Sequence, residues 1–434
     1  MMKMKRILML VLVAGVAVAV WAQTPTVRDE VKKDIHLSAS NYLAYPGPHK
    51  KLTPAPKGMK PFYISHYGRH GSRFLINRRD YNNPYETLLR AAEKHKLTPL
   101  GHEVLGRVSM ICEEADGRLG ELTPLGAEQH KQIARRMVER FPEVFEGDVT
   151  IDARSTVVIR CILSMENELQ ELLLHNPRLH ITHDASEHDM YYMNFSDQAL
   201  KAKRMPDEAR PQFDEYNNQR EHPEHLMQLL FNDTAYVNHH VNSRSLFHQL
   251  FKLASNVQNT ELRRELTLYD LFTDKEIYDS WEKENAWWYL NYGPCPLNGG
   301  TQPYSQRNLL RNIITQADSC LRLEKPGATL RFGHETVVMP LTCLLELNGY
   351  GQAVSDFSQL VNRGWVNYRV FPMGANIQFI FYRSSPNDDN VLFKVLLNED
   401  ECTLPLKSSI APYYSWADFR QYYLDKLDKY VPEQ

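Results

Sequence analysis

The spacing of apolar positions along this chain changes twice. Between 61 and 183, short apolar runs at 62–65, 149–153 and 178–183 alternate with stretches in which apolar residues return every three or four positions. That is the mark of strands separated by amphipathic helices. From about 184 to 323 only the helical spacing persists, as in the clusters 225–231, 246–251 and 278–287. Strand-like runs then return at 328–333, 376–382 and 391–397, the last two expected to be antiparallel and to close one edge. The pattern predicts an α/β core with a mostly parallel sheet flanked by helices, formed by 61–183 and 324–434. A mainly helical insertion, 184–323, interrupts it.

Local signals place the helix ends. Pro84 predicts a helix over 83–96, and Thr98-Pro99 a second that runs to about 115. Thr123 can cap orphan N–H groups while Pro124 takes the first helical position of a helix to 140. Further helices are expected from beyond Thr156 to 175, over 336–347, and over 416–430 at the surface. Residues 23–60, rich in Pro, Lys and Tyr, predict an extended lead-in draped over the body.

Residues 1–22 combine Lys3, Lys5 and Arg6 with an apolar run over 7–20 and a small residue, Ala22, at the end. This is the composition of a secretory signal peptide, and the run is short for a membrane span. The expectation is an exported protein, secreted or periplasmic, with no membrane association once the leader is removed. Formal net charge is −3, and about −6 without those basic residues. Nucleic acid is therefore disfavoured as a partner, and any positive field must be local. Six cysteines (112, 161, 295, 320, 343, 402) show no CxxC spacing. Cys161 and Cys343 fall in apolar helical patterns and are expected to be buried thiols.

The chemistry collects at the ends of three predicted strands. The first runs into Arg69-His70-Gly71-Ser72-Arg73, where two guanidiniums flank an imidazole. Each can offer a planar fork of donors to phosphoryl oxygens at any working pH. Gly71 removes a side chain where backbone N–H groups would approach an anion. The second ends at Arg154, with Arg160 and Ser164 four apart on one helix face. The third ends at His334-Glu335. Ligands of open α/β sheets bind beyond the carboxyl ends of strands, so these residues can converge.

Arg-His-Gly-x-Arg after a strand resembles the signature of the histidine phosphatase superfamily, in particular the histidine acid phosphatase and phytase branch. Arg154-Ser-Thr-x-x-x-Arg160-x-x-x-Ser164 resembles the second block of that branch. Phe332-Gly-His334-Glu335 is similar to its His-Asp block, and 272–293 resembles a helical segment of the multiple inositol polyphosphate phosphatases. The resemblance is not complete. That subgroup carries His-Ala-Glu, and a gapless match would put Thr336, which cannot donate as an acid, at the acid position. Glu335 is therefore assigned as the acid.

The resemblance implies a phosphohistidine mechanism. His70 attacks phosphorus, Arg69, Arg73, Arg160 and His334 hold its oxygens, and Glu335 protonates the leaving group. Neither metal nor cofactor is called for. The partner is a small-molecule phosphate ester, an inositol polyphosphate such as phytate, with the insertion lining part of the substrate cleft. The alternatives are a broad-specificity acid or sugar phosphatase and a non-catalytic phospholigand-binding protein. Arg154, Arg78, Arg79 and His188 are further candidates for substrate contact, as are Lys201, Lys203 and Arg204. The His/Asp-rich stretch 180–189 lacks a metal-ligand spacing. Trp281, Trp287 and Trp288 are expected in the core, and turnover is expected to favour acid.

Overall fold

The computed structural model describes residues 26–386 and 388–432, so the leader expectation for 1–22 lies outside the described residues. Among them a single sheet is built from β1 (Lys60–Arg69), β2 (Thr150–Ser155), β3 (His180–Asp184), β4 (Gly327–Gly333), β5 (Asn376–Arg383), β6 (Leu392–Leu397), β7 (Asp400–Glu401) and β8 (Tyr414–Ser415). Its order is β3-β2-β4-β1-β5-β6-β7, with β8 on β6. The first four strands run parallel, while β5 and β6 are antiparallel as expected.

Burial explains the apolar patterns. Strands β4 and β5 are buried at every position, so they read as continuous runs rather than alternations. The edge strand β3 is largely exposed, with its polar His and Asp residues facing water. Arg331, enclosed in the middle of β4, is satisfied by Asn312 Oδ1 at 2.9 Å and Ser65 Oγ at 3.1 Å. Arg69 of β1 pairs in register with Gly333 of β4, and Ser155 of β2 with Phe332. The carboxyl ends of three neighbouring strands are thus level.

The helices Pro99–Ala115 and Pro124–Arg140 start and stop where the sequence predicts, with Thr98 and Thr123 accepting from the Gly101 and Gly126 N–H groups. Other boundaries differ. The helix expected from 83 begins at Arg78 (Arg78–Glu93), because Asn77 accepts from the Arg79 N–H and Asp80 favours the first turn. Pro84 is carried inside that helix with its ring buried. Nor is the lead-in extended throughout. Thr26 and Asp29 form a reciprocal capping box that opens the helix Val27–Lys33, and a 3-10 segment, Ile35–Tyr42, follows.

Among the described residues three apolar cores result. Ile133, Met165 and Leu330 pack on one face of the sheet. Ile313, Val338, Phe379 and Phe419 pack on the other. The third core, away from the sheet, joins Val31, Leu88, Val108, Leu250 and Trp281. The helical layer therefore draws on the lead-in and on 78–115 as well as on the stretch 184–323. All six cysteines are unpaired, Cys161 and Cys343 buried as expected. Among the described residues no helix is long and apolar enough to cross a membrane.

Candidate active site

Arg69 closes β1 with its side chain fully enclosed. One terminal nitrogen donates to the Asn41 carbonyl (2.7 Å) and the Phe371 carbonyl (2.8 Å), which fixes the plane of the guanidinium. The Glu335 Oε2 lies 3.0 Å from its Nε. The other terminal nitrogen has no hydrogen-bond partner in the protein. The lead-in is thus part of the pocket wall and not only a drape. Asn41 and Tyr42 carry no periodicity or motif that would have marked them.

The His70 backbone is clamped from both sides, its N–H donating to Gly333 and its carbonyl accepting from Gly374, each at 2.9 Å. Its Nδ1 lies 2.9 Å from the Gly71 carbonyl. A carbonyl can only accept, so the ring proton resides on Nδ1 and the lone pair on Nε2. That Nε2 is buried, unpartnered by any hydrogen bond, and 3.7 Å from Glu335 Oε2. This is the tautomer a nucleophilic imidazole needs.

Arg73 donates to the Phe74 carbonyl at 2.9 Å, and its guanidinium lies 5.5 Å from the centre of the Tyr42 ring. Arg160, half-buried in the first turn of the helix Ile159–His175, keeps its Nε free of protein partners. Ser164 Oγ accepts from the Gly71 N–H (3.1 Å) and donates to the Arg160 carbonyl (2.8 Å), coupling this helix to the nucleophile loop. The Gly71 N–H therefore does not face an anion. Gly71 is required instead because a Cβ there would lie 2.4 Å from the Gly126 carbonyl oxygen.

His334 completes the ring, with Nε2 3.2 Å from Thr156 Oγ1 and 3.8 Å from Cys161 Sγ. Its ring centre is 5.9 Å from that of His70. Thr156 is a contact the sequence reading missed, although it stands inside the second block beside Arg154.

The electrostatics follow from burial among cations. Burial, and then Arg69, Arg73, Arg160 and His334, hold the His70 pKa well below its ordinary value, so the nucleophile stays neutral. Burial also lowers His334, to about 4, against the opposing pull of Glu335. For Glu335 burial acts upward, but Arg69, Arg73 and His334 outweigh it and bring the carboxyl down to about 2. Donor atoms of His70, His334 and Glu335 lie within 4.8 Å of one another. Three guanidiniums around them make the site suited to an anion rather than a metal cation.

The remaining candidates fall outside this cluster. Arg154 lies within β2, not after it, and pairs with Asp152 (2.9 Å) and Asp189 (3.6 Å). His188 is exposed on a short 3-10 turn capped by Ser186. Arg78 and Arg79 are exposed at the start of a helix, Arg78 facing Asp116 at 3.7 Å. They follow Ile76, which with the Arg160 guanidinium borders Gly120, so they belong to the rim rather than the floor. Of the three tryptophans Trp281 and Trp288 are buried, but Trp287 is 37% exposed, a correction to its expected place in the core. It lines a cavity of about 670 Å³ whose wall includes Asn41 and Tyr42, the two lead-in residues that touch Arg69 and Arg73.

A profile of the histidine phosphatase superfamily (branch 2) matches residues 69–398. No curated protein matches the chain. Among solved structures the chain is similar to a Bifidobacterium longum multiple inositol polyphosphate phosphatase in complex with inositol hexasulfate, at 17% identity and a TM-score of 0.73, covering 88% of this chain and 97% of that one. The D. castellii phytase has 14% identity and a TM-score of 0.66, with 91% and 85% covered. A Hafnia alvei phytase in complex with myo-inositol hexakis sulphate has 13% identity and a TM-score of 0.53, with 87% and 100% covered. At these identities the likeness establishes the shared fold.

Proposed function

The chain belongs to the histidine phosphatase superfamily, branch 2, and from that membership we propose that it is an acid phosphatase hydrolysing phosphomonoesters of polyols, inositol polyphosphates including phytate, through a phosphohistidine. The single observation that carries this reading is the neutral His70 Nε2, buried and without a hydrogen-bond partner among Arg69, Arg73 and Arg160. The inositol hexasulfate bound by a structural neighbour supports the substrate class.

In the first step His70 Nε2 forms an N–P bond as the P–O bond to the alcohol breaks. Glu335, once it has taken the proton that the substrate monoanion brings, transfers it to the departing oxygen. Water then attacks phosphorus, passes a proton to Glu335, and the N–P bond breaks to release inorganic phosphate. The three guanidiniums and His334 stabilise charge on the non-bridging oxygens, the term on which phosphoryl transfer chiefly depends. Placement outside the cytoplasm belongs to the same proposal and rests on the basic-then-apolar pattern of the leader.

Hydrolysis of p-nitrophenyl phosphate, combined with acid- and base-quenched labelling, tests the reading. Turnover together with an acid-labile, base-stable phosphoryl group that His70→Ala abolishes is expected. An active His70→Ala enzyme would refute it.

A further inference from the structure

The 670 Å³ cavity adjoins the arginine cluster through Asn41, whose carbonyl accepts from Arg69, and Tyr42, whose ring faces Arg73. Its cations are already spoken for. Lys252 Nζ lies 2.7 Å from Asp80, His248 lies 2.6 Å from Glu221, and Lys283 pairs with the same Glu221. Arg244, close by, also turns to Glu221, at 3.4 Å. A third carboxyl on this wall, Glu284, is exposed to the cavity beside Lys252 and Lys283. Basic groups here thus face carboxylates rather than open space, and the wall is close to neutral.

The rest of the lining is aromatic and hydrogen-bonding. Trp287 is the exposed member of an edge-on pair with buried Trp288, ring centres 5.2 Å apart, and Ser280, Asn217 and Gln249 stand around the same space. An exposed indole flanked by hydroxyl, amide and carboxyl groups suits a ring with apolar C–H faces and equatorial hydroxyls. It suits a ring crowded with phosphates poorly, because each phosphate adds about −1.5 to −2 charges. Arg204, on the Tyr292 side of Trp288, faces no carboxylate among the described residues. Arg204 stacks on Tyr292 at 4.0 Å with the Gln302 amide oxygen 3.4 Å from its Nε, and Tyr292 packs on Trp288 at 5.0 Å. It can take a second phosphate.

We propose that this cleft selects a sugar or cyclitol carrying one or two phosphates, its hydroxyls turned to the Glu221/Glu284 wall and its ring on Trp287, in preference to a densely phosphorylated inositol. The inference rests on the phosphatase reading and, within the phosphomonoesters proposed above, ranks the singly and doubly phosphorylated rings ahead of phytate.

The experiment is a comparison of kcat/KM for glucose 1-phosphate, myo-inositol monophosphate, myo-inositol hexakisphosphate and methyl phosphate with the full chain and with Glu284→Lys, Glu284→Gln and Trp287→Ala. The monophosphates are expected to exceed the hexakisphosphate by about tenfold or more in the wild type. Glu284→Lys should narrow that ratio at least about threefold, with Glu284→Gln intermediate. Trp287→Ala should raise KM for glucose 1-phosphate relative to that for methyl phosphate. A wild-type preference for the hexakisphosphate, or a ratio that a folded Glu284 variant does not move, overturns the inference while the phosphatase reading stands. Failure to hydrolyse any of the four esters overturns both.

Discussion

Glu335 Oε2 lies 3.0 Å from Arg69 Nε, so the group assigned to donate a proton is held as an anion by a group assigned to grip the phosphate. The two roles compete. A phosphoryl group that enters the cluster neutralises Arg69 and Arg73, removes the field that brings Glu335 to about 2, and so raises its proton affinity when the proton is needed.

Glu335→Gln should therefore act in opposite directions on binding and turnover. Loss of the competing carboxylate is expected to tighten inhibition by inorganic phosphate several-fold. Turnover of an alkyl ester should fall about 100- to 1,000-fold, and that of p-nitrophenyl phosphate much less, because its leaving group needs little protonation. Inhibition constants and kcat for the two esters check this. Weaker phosphate binding in the variant would contradict it.

The pH dependence follows from the same shifts. Glu335, at about 2, is ionised in the free protein through the acid range, so the proton for the leaving group enters with the substrate monoanion. A phosphomonoester loses that proton with a pKa near about 6. The His70 pKa lies well below its ordinary value, so the nucleophile is not lost to protonation in mild acid. The kcat/KM for glucose 1-phosphate should be highest on the acid side and decline above about pH 6. A profile from acid to alkaline pH decides it, and a maximum in the alkaline range would exclude the assignment.

Arg160 offers a separate test, because it is only half-buried and its Nε is bonded to nothing in the protein. Arg160→Ala should leave the melting temperature nearly unchanged and lower kcat/KM about 100- to 1,000-fold. Arg160→Lys should recover little, since an ammonium lacks the planar fork. Removal of one of the cations that lower His70 should also move the acid limb of the profile toward neutrality.

How much of this was legible in advance depended on whether the signal was local. Thr98-Pro99 and Thr123-Pro124 set helix starts through caps within three residues, and both helices begin there. Arg69, His70, Arg73, His334 and Glu335 could be placed together because they stand at or shortly after strand ends that the register levels, and Arg160 because it opens the helix that follows β2. Arg154 stands apart from them, because one more residue of β2 pairing carries it into the strand, where it pairs with Asp152 and Asp189. Asn41 and Tyr42 reach the pocket only through the tertiary path of the lead-in, and Trp287 is exposed because a cavity forms beside it. Those are long-range outcomes that no window of sequence encodes.

The contact between Gly71 and Gly126 gives the last prediction. A Cβ on Gly71 would sit 2.4 Å from the Gly126 oxygen, and one on Gly126 would sit 2.2 Å from the Ser72 oxygen. Both obstacles are backbone, so no rotamer change relieves them and the nucleophile loop must separate from the helix Pro124–Arg140. That would strain the Ser72 N–H bond to Gln129 (2.8 Å) and the Gly71 N–H bond to Ser164 (3.1 Å), which together hold His70 in register with Arg160. Gly126→Ala alters no group in the pocket. It is nevertheless expected to cost about 1–3 kcal/mol of stability through overpacking. Activity of the folded fraction should fall at least about tenfold, a misplacement effect. Thermal unfolding and kcat measured well below the melting temperature separate the two losses, and a Gly126→Ala protein with wild-type kcat would show that this close packing does not position the nucleophile.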